Sequence, residues 1–251
     1  MNRPLFSCVI PVKGERPFMK EALASLEAQG MGEDLEIIVQ DADVEPDMGQ
    51  SDALNKGFAK AKGEWFFWLN ADDVLLSGAL EKVKATICRA SATRDRGSLD
   101  WIVGDQHSID SAGRCVDASV GNRWHDWLFR HAVPHVHGPS AFFRRDLWER
   151  VGGCDVSLRY CMDWDLWIRF MRAGARYSRV SDFLWALRRW EGSKTQGHAD
   201  AQEMERQRAE VARMLAKNNF TITAGGVWKY RIWRMLSGCY LKEWLEVRRR
   251  S

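Results

Sequence analysis

Gly63-Glu64-Trp65-Phe66-Phe67-Trp68-Leu69-Asn70-Ala71-Asp72-Asp73-Val74-Leu75-Leu76 is the stretch that decides the fold. The five residues from Trp65 to Leu69 are all apolar and four of them are aromatic, a composition that favours strand over helix. A run that is apolar on both faces reads as a central strand covered on both sides, the habit of parallel sheets. The run then breaks into Asn70-Ala71-Asp72-Asp73. Carboxylates at the carboxyl end of a buried strand sit where open α/β sheets bind ligands. Two adjacent acids repel, and a hard divalent cation offsets them well, because carboxylate oxygen suits Mg²⁺ or Mn²⁺. The same residues also fit a plain polar turn, with Asp73 or Ser77 capping the next helix.

Working outward, Gly49-Gln50-Ser51-Asp52 leads into a helix that carries Leu54, Gly57, Phe58 and Ala61 on one face. Leu5 to Val12 reads as a first strand, followed by the loop Lys13-Gly14-Glu15-Arg16 and by Pro17 at a helix start. Met19, Ala22, Leu23 and Leu26 make the apolar face of that helix, and Gly30 closes it. Leu35 to Val39 reads as a short buried strand ending in Gln40-Asp41-Ala42-Asp43. Strand, helix and strand in this order form a parallel βαβ unit. Two strands therefore end in acids on one rim, Asp41/Asp43 and Asp72/Asp73. Neither G-x-G-x-x-G nor G-x-x-x-x-G-K-S/T follows the first strand, which counts against a dehydrogenase or a P-loop ATPase. Downstream, Leu80, Val83 and Ile87 mark a helix, residues 90–98 a polar loop, Trp101 to Asp105 a strand, and Ser111-Ala112-Gly113 a hairpin turn.

The chain has 251 residues, 45% hydrophobic and 28% charged, enough for a packed core and too apolar for disorder. Its formal charge of +3 gives no reason to expect nucleic acid as a partner. The six cysteines include no C-x-x-C pair, as expected of reduced thiols in a cytosolic protein. Met1 to Pro4 run into the first strand without a signal-peptide pattern, and no apolar run approaches a membrane span. Thirteen tryptophans suit sugar faces, interfaces, membrane rims or cores.

Several words in fixed order now carry a resemblance. They are Val9-Ile10-Pro11-Val12, Gly49 to Gly57, Gly63-Glu64, Trp68 to Asp73, Val103-Gly104-Asp105, Gly138 to Arg145, Val151 to Asp155 and Asp163 to Arg169. The pattern resembles glycosyltransferase family 2, the nucleotide-sugar transferases of the GT-A type, over roughly residues 5–196. The resemblance implies an α/β GT-A fold: a Rossmann-like domain with a mostly parallel central sheet flanked by helices. That domain would cover residues 1–196, with a nucleotide-sugar half (1–105) and an acceptor and catalytic half (106–196). Residues 197–251 would form a C-terminal helical extension.

The resemblance also implies roles. Asp41 resembles the acid that binds the nucleotide base, with Pro11, Val12 and Glu15 beside it. Asn55 and Lys56 fall in the segment that borders the nucleotide. Asn70-Ala71-Asp72 resembles the D-x-D motif, Asp72 holding Mn²⁺ or Mg²⁺ on the donor diphosphate. Here Asn replaces the first acid. Asp163 resembles the catalytic base, with Met162 where the family usually has Glu. Glu191 to Thr195 resembles a loop that closes over the donor, with Trp190 where a metal-binding His often stands; His198 is a substitute for that ligand. The implied reaction is inverting transfer from a nucleotide sugar, with UDP the expected carrier, to a saccharide or lipid-linked saccharide in bacterial glycoconjugate assembly.

The chemistry asks for these residue types in its own right. Departure of a diphosphate builds negative charge that a cation neutralises, and a hydroxyl nucleophile needs a carboxylate within reach. The apolar neighbours of Asp163 would raise its pKa, although an acid there also fits a helix N-terminus without catalysis.

Other features stand apart. His131, His135 and His137 have metal-compatible spacing but no carboxylate or thiolate to complete a set. Asp146 to Glu149 reads as a capping box. Glu203 to Lys217 reads as a charged helix packing through Met204, Val211 and Leu215. Val227 to Ser251 mixes Trp and Tyr with Lys and Arg, which fits peripheral contact at the inner face of a membrane, packing on the domain, or a homodimer contact. Two other functions compete. Asp41-Ala42-Asp43-Val44 also resembles the nucleophile motif of haloacid-dehalogenase phosphotransferases. The departures at Asn70, Met162 and Trp190 would also suit a protein that binds nucleotide sugars without catalysis.

Overall fold

The computed structural model describes residues 3–92, 99–121, 136, 138–193 and 201–250. His131, His135, His137, His198, Lys194 and Thr195 lie outside the described residues.

The strand read from Trp65 is the organising element. It is β3 (Trp65–Trp68), fully buried, with β1 (Phe6–Val12) parallel on one side and β7 (Ala141–Arg144) antiparallel on the other. The remaining strands are β2 (Leu35–Asp41), β4 (Val74–Leu75), β5 (Trp101–Ile109), β6 (Cys115–Ser119) and β8 (Tyr177–Arg188). The sheet order is β2-β1-β3-β7-β5-β8-β4, with β6 hairpinned onto β5. The pairings make β1, β2, β3, β5 and β8 run one way, so their carboxyl ends share one rim. The turn read at Ser111 to Gly113 joins β5 to β6, with Gly113 in the left-handed region at φ 80°.

Period-two alternation along β3 sends Phe66 and Trp68 to one face and Trp65 and Phe67 to the other. The second face is covered by α1 (Met19–Glu27) and α3 (Ala79–Ala92), through Ala22, Leu26, Leu80 and Val83. The first is covered by α2 (Gln50–Lys60), α4 (Arg145–Val151), α5 (Met162–Arg172) and α6 (Ala201–Lys217). Packing is close where α2 crosses β1: a Cβ on Gly57 would lie 2.5 Å from Val9 Cγ1, so only glycine fits. The indoles of Trp101, Trp167 and Trp68 stack in series at 5.3 and 5.8 Å. Six of the tryptophans, Trp65, Trp68, Trp101, Trp148, Trp167 and Trp185, are core and offer no sugar platform.

Four local expectations change. β2 is an edge strand and half-buried rather than buried, because no strand lies beyond it among the described residues. Asp146 does not cap: α4 begins one residue earlier, and Asp146 Oδ1 takes the Arg144 Nε–H instead. Ser77 lies two residues ahead of α3, which begins at Ala79. On α6, Met204 is exposed and the inward residues are Met214 and Glu210, with Val211 and Leu215 partly buried.

Two further helices, α7 (Ala224–Leu236) and α8 (Cys239–Arg250), dock on β5 and β6. Among the described residues, no helix is long and apolar enough to cross a membrane. All six cysteines are unpaired.

Candidate active site

The shared rim carries a cavity of about 360 Å³. The end of β1 supplies Pro11, Val12, Lys13, Glu15 and Arg16; the start of α2 supplies Gly49, Gln50 and Ala53. The turn after β3 supplies Asn70, Ala71 and Asp72, and the segment after β8 supplies Trp190, Gly192 and Ser193. Gly49 enters α2 at φ 123°, a backbone that side-chain-bearing residues avoid. Of the residues expected to meet the nucleotide, the structure brings Pro11, Val12, Glu15, Asn70 and Ala71 together with Asp72 around this cavity.

The two adjacent acids have different fates. Asp72 faces the cavity, where its Oδ2 accepts a 2.9 Å hydrogen bond from Trp190 Nε1. Asp73 turns inward and is fully buried. Burial first, and then the charge of Asp72, push its carboxyl up to about 8, against the donors Arg188 N–H at 2.9 Å and Asn70 Nδ2 at 2.8 Å. Asp73 is therefore held in its protonated form below that value. The Asn70 amide is committed at both ends, since its Oδ1 accepts from Gln50 Nε2 at 2.9 Å.

Arg188 ties the rim together. Its buried guanidinium donates to Asp72 O at 2.9 Å, pairs with Glu21 at 2.5 Å and lies 4.2 Å from the Phe18 ring centre. Phe18 in turn meets Trp190 edge-on at 5.4 Å. Arg188 could not be read from the sequence because it follows the apolar run Phe183 to Leu187 of β8, and a charged residue at the end of such a run carries no sign that it turns back under the rim.

Asp41 stands beside the cavity without lining it. Arg16 pairs with its Oδ2 at 2.7 Å, and the amide of Asp43 bonds its Oδ1 at 3.0 Å. Asn55 and Lys56 face away. The Asn55 amide exchanges hydrogen bonds of 2.9 and 2.8 Å with the backbone of Cys154, a pin between α2 and the loop after α4. Lys56 bonds Pro46 O at 2.7 Å and pairs with Asp52 at 3.0 Å.

Asp163 lies half-buried in the first turn of α5, outside the cavity lining. The start of α5 is held from two sides. Ser51, next to the cavity residue Gln50, bonds Met162 Sδ at 3.1 Å and Leu158 O at 2.8 Å. From α6, the Glu210 carboxylate accepts the backbone N–H groups of Arg159, Tyr160 and Cys161 at 3.0, 2.6 and 3.1 Å. Burial pushes the Glu210 pKa up, but these three donors outweigh it and the net shift is downward. Glu210 was invisible as a contributor because a Glu in a helix of charged residues carries no signal of which way it points.

No three His, Cys, Asp or Glu side chains converge on a metal position among the described residues. Asn70 Oδ1 is spent on Gln50 and one Asp72 oxygen on Trp190. Asp72 lines the cavity, its other oxygen is not spent on Trp190, and one or two carboxylates suffice for Mg²⁺ when substrate phosphates and water complete the shell. Ser193 Oγ is buried with no partner among the described residues, as expected of a group that meets a ligand. The residues fit a divalent ion carried jointly with a diphosphate and do not fit one held by protein alone.

A sheet whose parallel strands end on one rim, with an acid turn after the central strand, is the arrangement of a GT-A fold. The profile of the family described as glycosyl transferase family 2 matches residues 43–152 of the chain, which is similar to that family over this stretch. An uncharacterised glycosyltransferase of Rickettsia typhi is 26% identical over 204 residues, 69% of this chain and 61% of its own length. A Mycobacterium tuberculosis protein described as a PGL/p-HBAD biosynthesis glycosyltransferase is 26% identical over 67% of this chain and 70% of its own length. The chain thus spans about three fifths of the length of the Rickettsia relatives. In fold it matches S. aureus TarS 1–349 in complex with UDP-GlcNAc at a TM-score of 0.61 and 16% identity, over 84% of this chain and 66% of that one. It also matches the mannosyltransferase PcManGT of Pyrobaculum calidifontis, in complex with GDP-Man and Mn²⁺, at 0.56 and 20%, over 86% and 64%.

Proposed function

We propose that the chain transfers a sugar from a nucleoside diphosphate sugar to a hydroxyl acceptor with inversion at the anomeric carbon. The observation that carries this reading is the cavity on the shared rim, with Asp72 in its lining and Asp163 at the start of the neighbouring helix α5. Lys13 and Arg16 bring positive charge to the same cavity, which suits a diphosphate. The nucleotide lies along the end of β1 and the start of α2, its base toward Asp41. Asp72 would hold Mn²⁺ or Mg²⁺, which when bound would neutralise the charge that develops on the departing diphosphate. Asp163 takes the proton of the acceptor hydroxyl as it attacks from the face opposite the diphosphate. UDP is the proposed nucleotide. The proposed setting is the cytoplasm, in assembly of a saccharide or lipid-linked saccharide, and unpaired cysteines suit a reducing compartment.

The phosphotransferase alternative needs Asp41 as a free nucleophile, and both of its oxygens are engaged, by Arg16 and by the Asp43 amide. The test is a thermal-shift panel of nucleotides and nucleotide sugars with and without Mn²⁺. Binding to the folded state alone stabilises it by mass action. One nucleotide sugar should raise the melting temperature in a metal-dependent way, and donor consumption with acceptor present should follow. No stabilisation by any member would overturn the proposal. Stabilisation without turnover would favour the reading of a non-catalytic binding protein.

A further inference from the structure

The C-terminal helices α7 and α8 reverse the usual placement of charged and apolar residues. Both of their acids and two of their cations point into the domain. Lys242 bonds Asp105 at 2.5 Å, Glu246 meets His107 at 3.0 Å, Glu243 accepts the Val120 N–H at 2.7 Å, and buried Arg234 pairs with Glu243. Their large apolar groups point outward: Leu236 is 79% exposed, Trp228 65%, Met235 63%, Leu241 61% and Trp244 50%. On α8, Tyr240, Trp244 and Arg248 follow i, i+4, i+8 spacing, with Leu241 and Leu245 beside them, so this is one stripe. A contiguous exposed patch of such groups marks an interaction surface.

Charge decides the partner. The only acids between Ala224 and Arg250 are Glu243 and Glu246, and both are turned inward. The outer face carries only cations: exposed Arg231, Arg248 and Arg249, with the Arg248 guanidinium stacked 4.2 Å from the Trp244 ring centre. A two-fold contact between copies would set these cations against themselves. Apolar residues ringed by cations, with Trp among them, match the headgroup boundary of an anionic bilayer.

We propose that the outer face of α7 and α8 is a docking surface for anionic phospholipid membranes. The chain rests on the bilayer through Trp228, Leu236, Leu241 and Trp244, with the arginines at headgroup level. The inward polar contacts to Asp105, His107 and Val120 hold this face rigidly to β5 and β6.

The test is flotation of the full chain with vesicles of phosphatidylcholine, alone or mixed with phosphatidylglycerol. The wild type should float with the mixed vesicles, stay behind with the neutral ones, and be released by salt. Arg248→Gln with Arg249→Gln should lower the partition coefficient roughly 30-fold, from about fivefold per surface cation. Leu241→Ser with Trp244→Ser should abolish flotation at an unchanged melting temperature, since both side chains are exposed. If the serine pair fails to fold, the arginine pair carries the test alone. Equal behaviour with both vesicle types would overturn the proposal. So would a dimer in analytical ultracentrifugation that Trp244→Ser dissolves, since it would assign the face to a second copy.

Discussion

The rim around Asp72 and the start of α5 around Asp163 hold their carboxylates in contrasting ways. At the rim the two adjacent acids and the neighbouring amide have fixed partners: Trp190 for Asp72, Arg188 and Asn70 for Asp73, Gln50 for Asn70. Asp163 is half-exposed, and its helix is positioned from a distance by Ser51 and Glu210. On the proposed function, the first region binds with little rearrangement and the second would present a base to a second substrate. Binding and proton transfer should therefore separate under mutation.

The largest effect is expected at Asp163. Asp163→Asn keeps shape and removes basicity, so turnover should fall by about 10²–10⁴-fold while the donor Kd stays within a few-fold of wild type. Steady-state kinetics together with calorimetric donor titration read both quantities. A joint change in kcat and Kd would break the separation.

Next in size is a pH effect confined to the rim. The unfolded chain ionises Asp73 at about 4, whereas the folded chain keeps the proton to about 8. Between those values the folded state holds the extra proton. Stability should therefore fall as pH rises through that window, by at most about 1.4 kcal/mol per unit, and level off above it. Asp73→Asn should flatten this slope in urea titrations at stepped pH and leave the chain more stable than wild type at pH about 8. An unchanged slope would mean that the rim does not bury a proton there.

Glu210→Ala should have the smallest effect. It leaves three backbone N–H groups before α5 without their acceptor, at a cost of about 1–3 kcal/mol. Turnover should drop several-fold with donor Kd unmoved, because Glu210 supports the start of α5 and not the cavity. A weaker donor Kd with normal turnover would reverse the assignment of the two regions.

The parts of this arrangement legible in sequence were those with one-dimensional signatures. Trp65 to Leu69 announced a doubly covered strand, and the acids after β2 and β3 announced a common rim because parallel strands end together. The βαβ start and the β5–β6 turn followed from periodicity and glycine. Partners set by tertiary packing were not legible. Arg188 ends an apolar run where a charged residue reads as the strand's exit to solvent, and Glu210 sits in a helix whose charges look alike. Trp190 stood out only as a departure from expectation, and its hydrogen bond to Asp72 needed the fold. Asn55 and Lys56 show the converse: a match in sequence order put them beside the nucleotide, while packing turned them to Cys154 and to Asp52.

The most direct measurement of the central claim, that Asp72 is the acid through which the cavity holds a metal-bearing nucleotide donor, is Mn²⁺-dependent thermal stabilisation of wild type and Asp72→Ala by the same nucleotide sugar. The account predicts a concentration-dependent shift for wild type that grows with Mn²⁺, and no Mn²⁺-dependent part for Asp72→Ala. A full Mn²⁺-dependent shift in Asp72→Ala would contradict it.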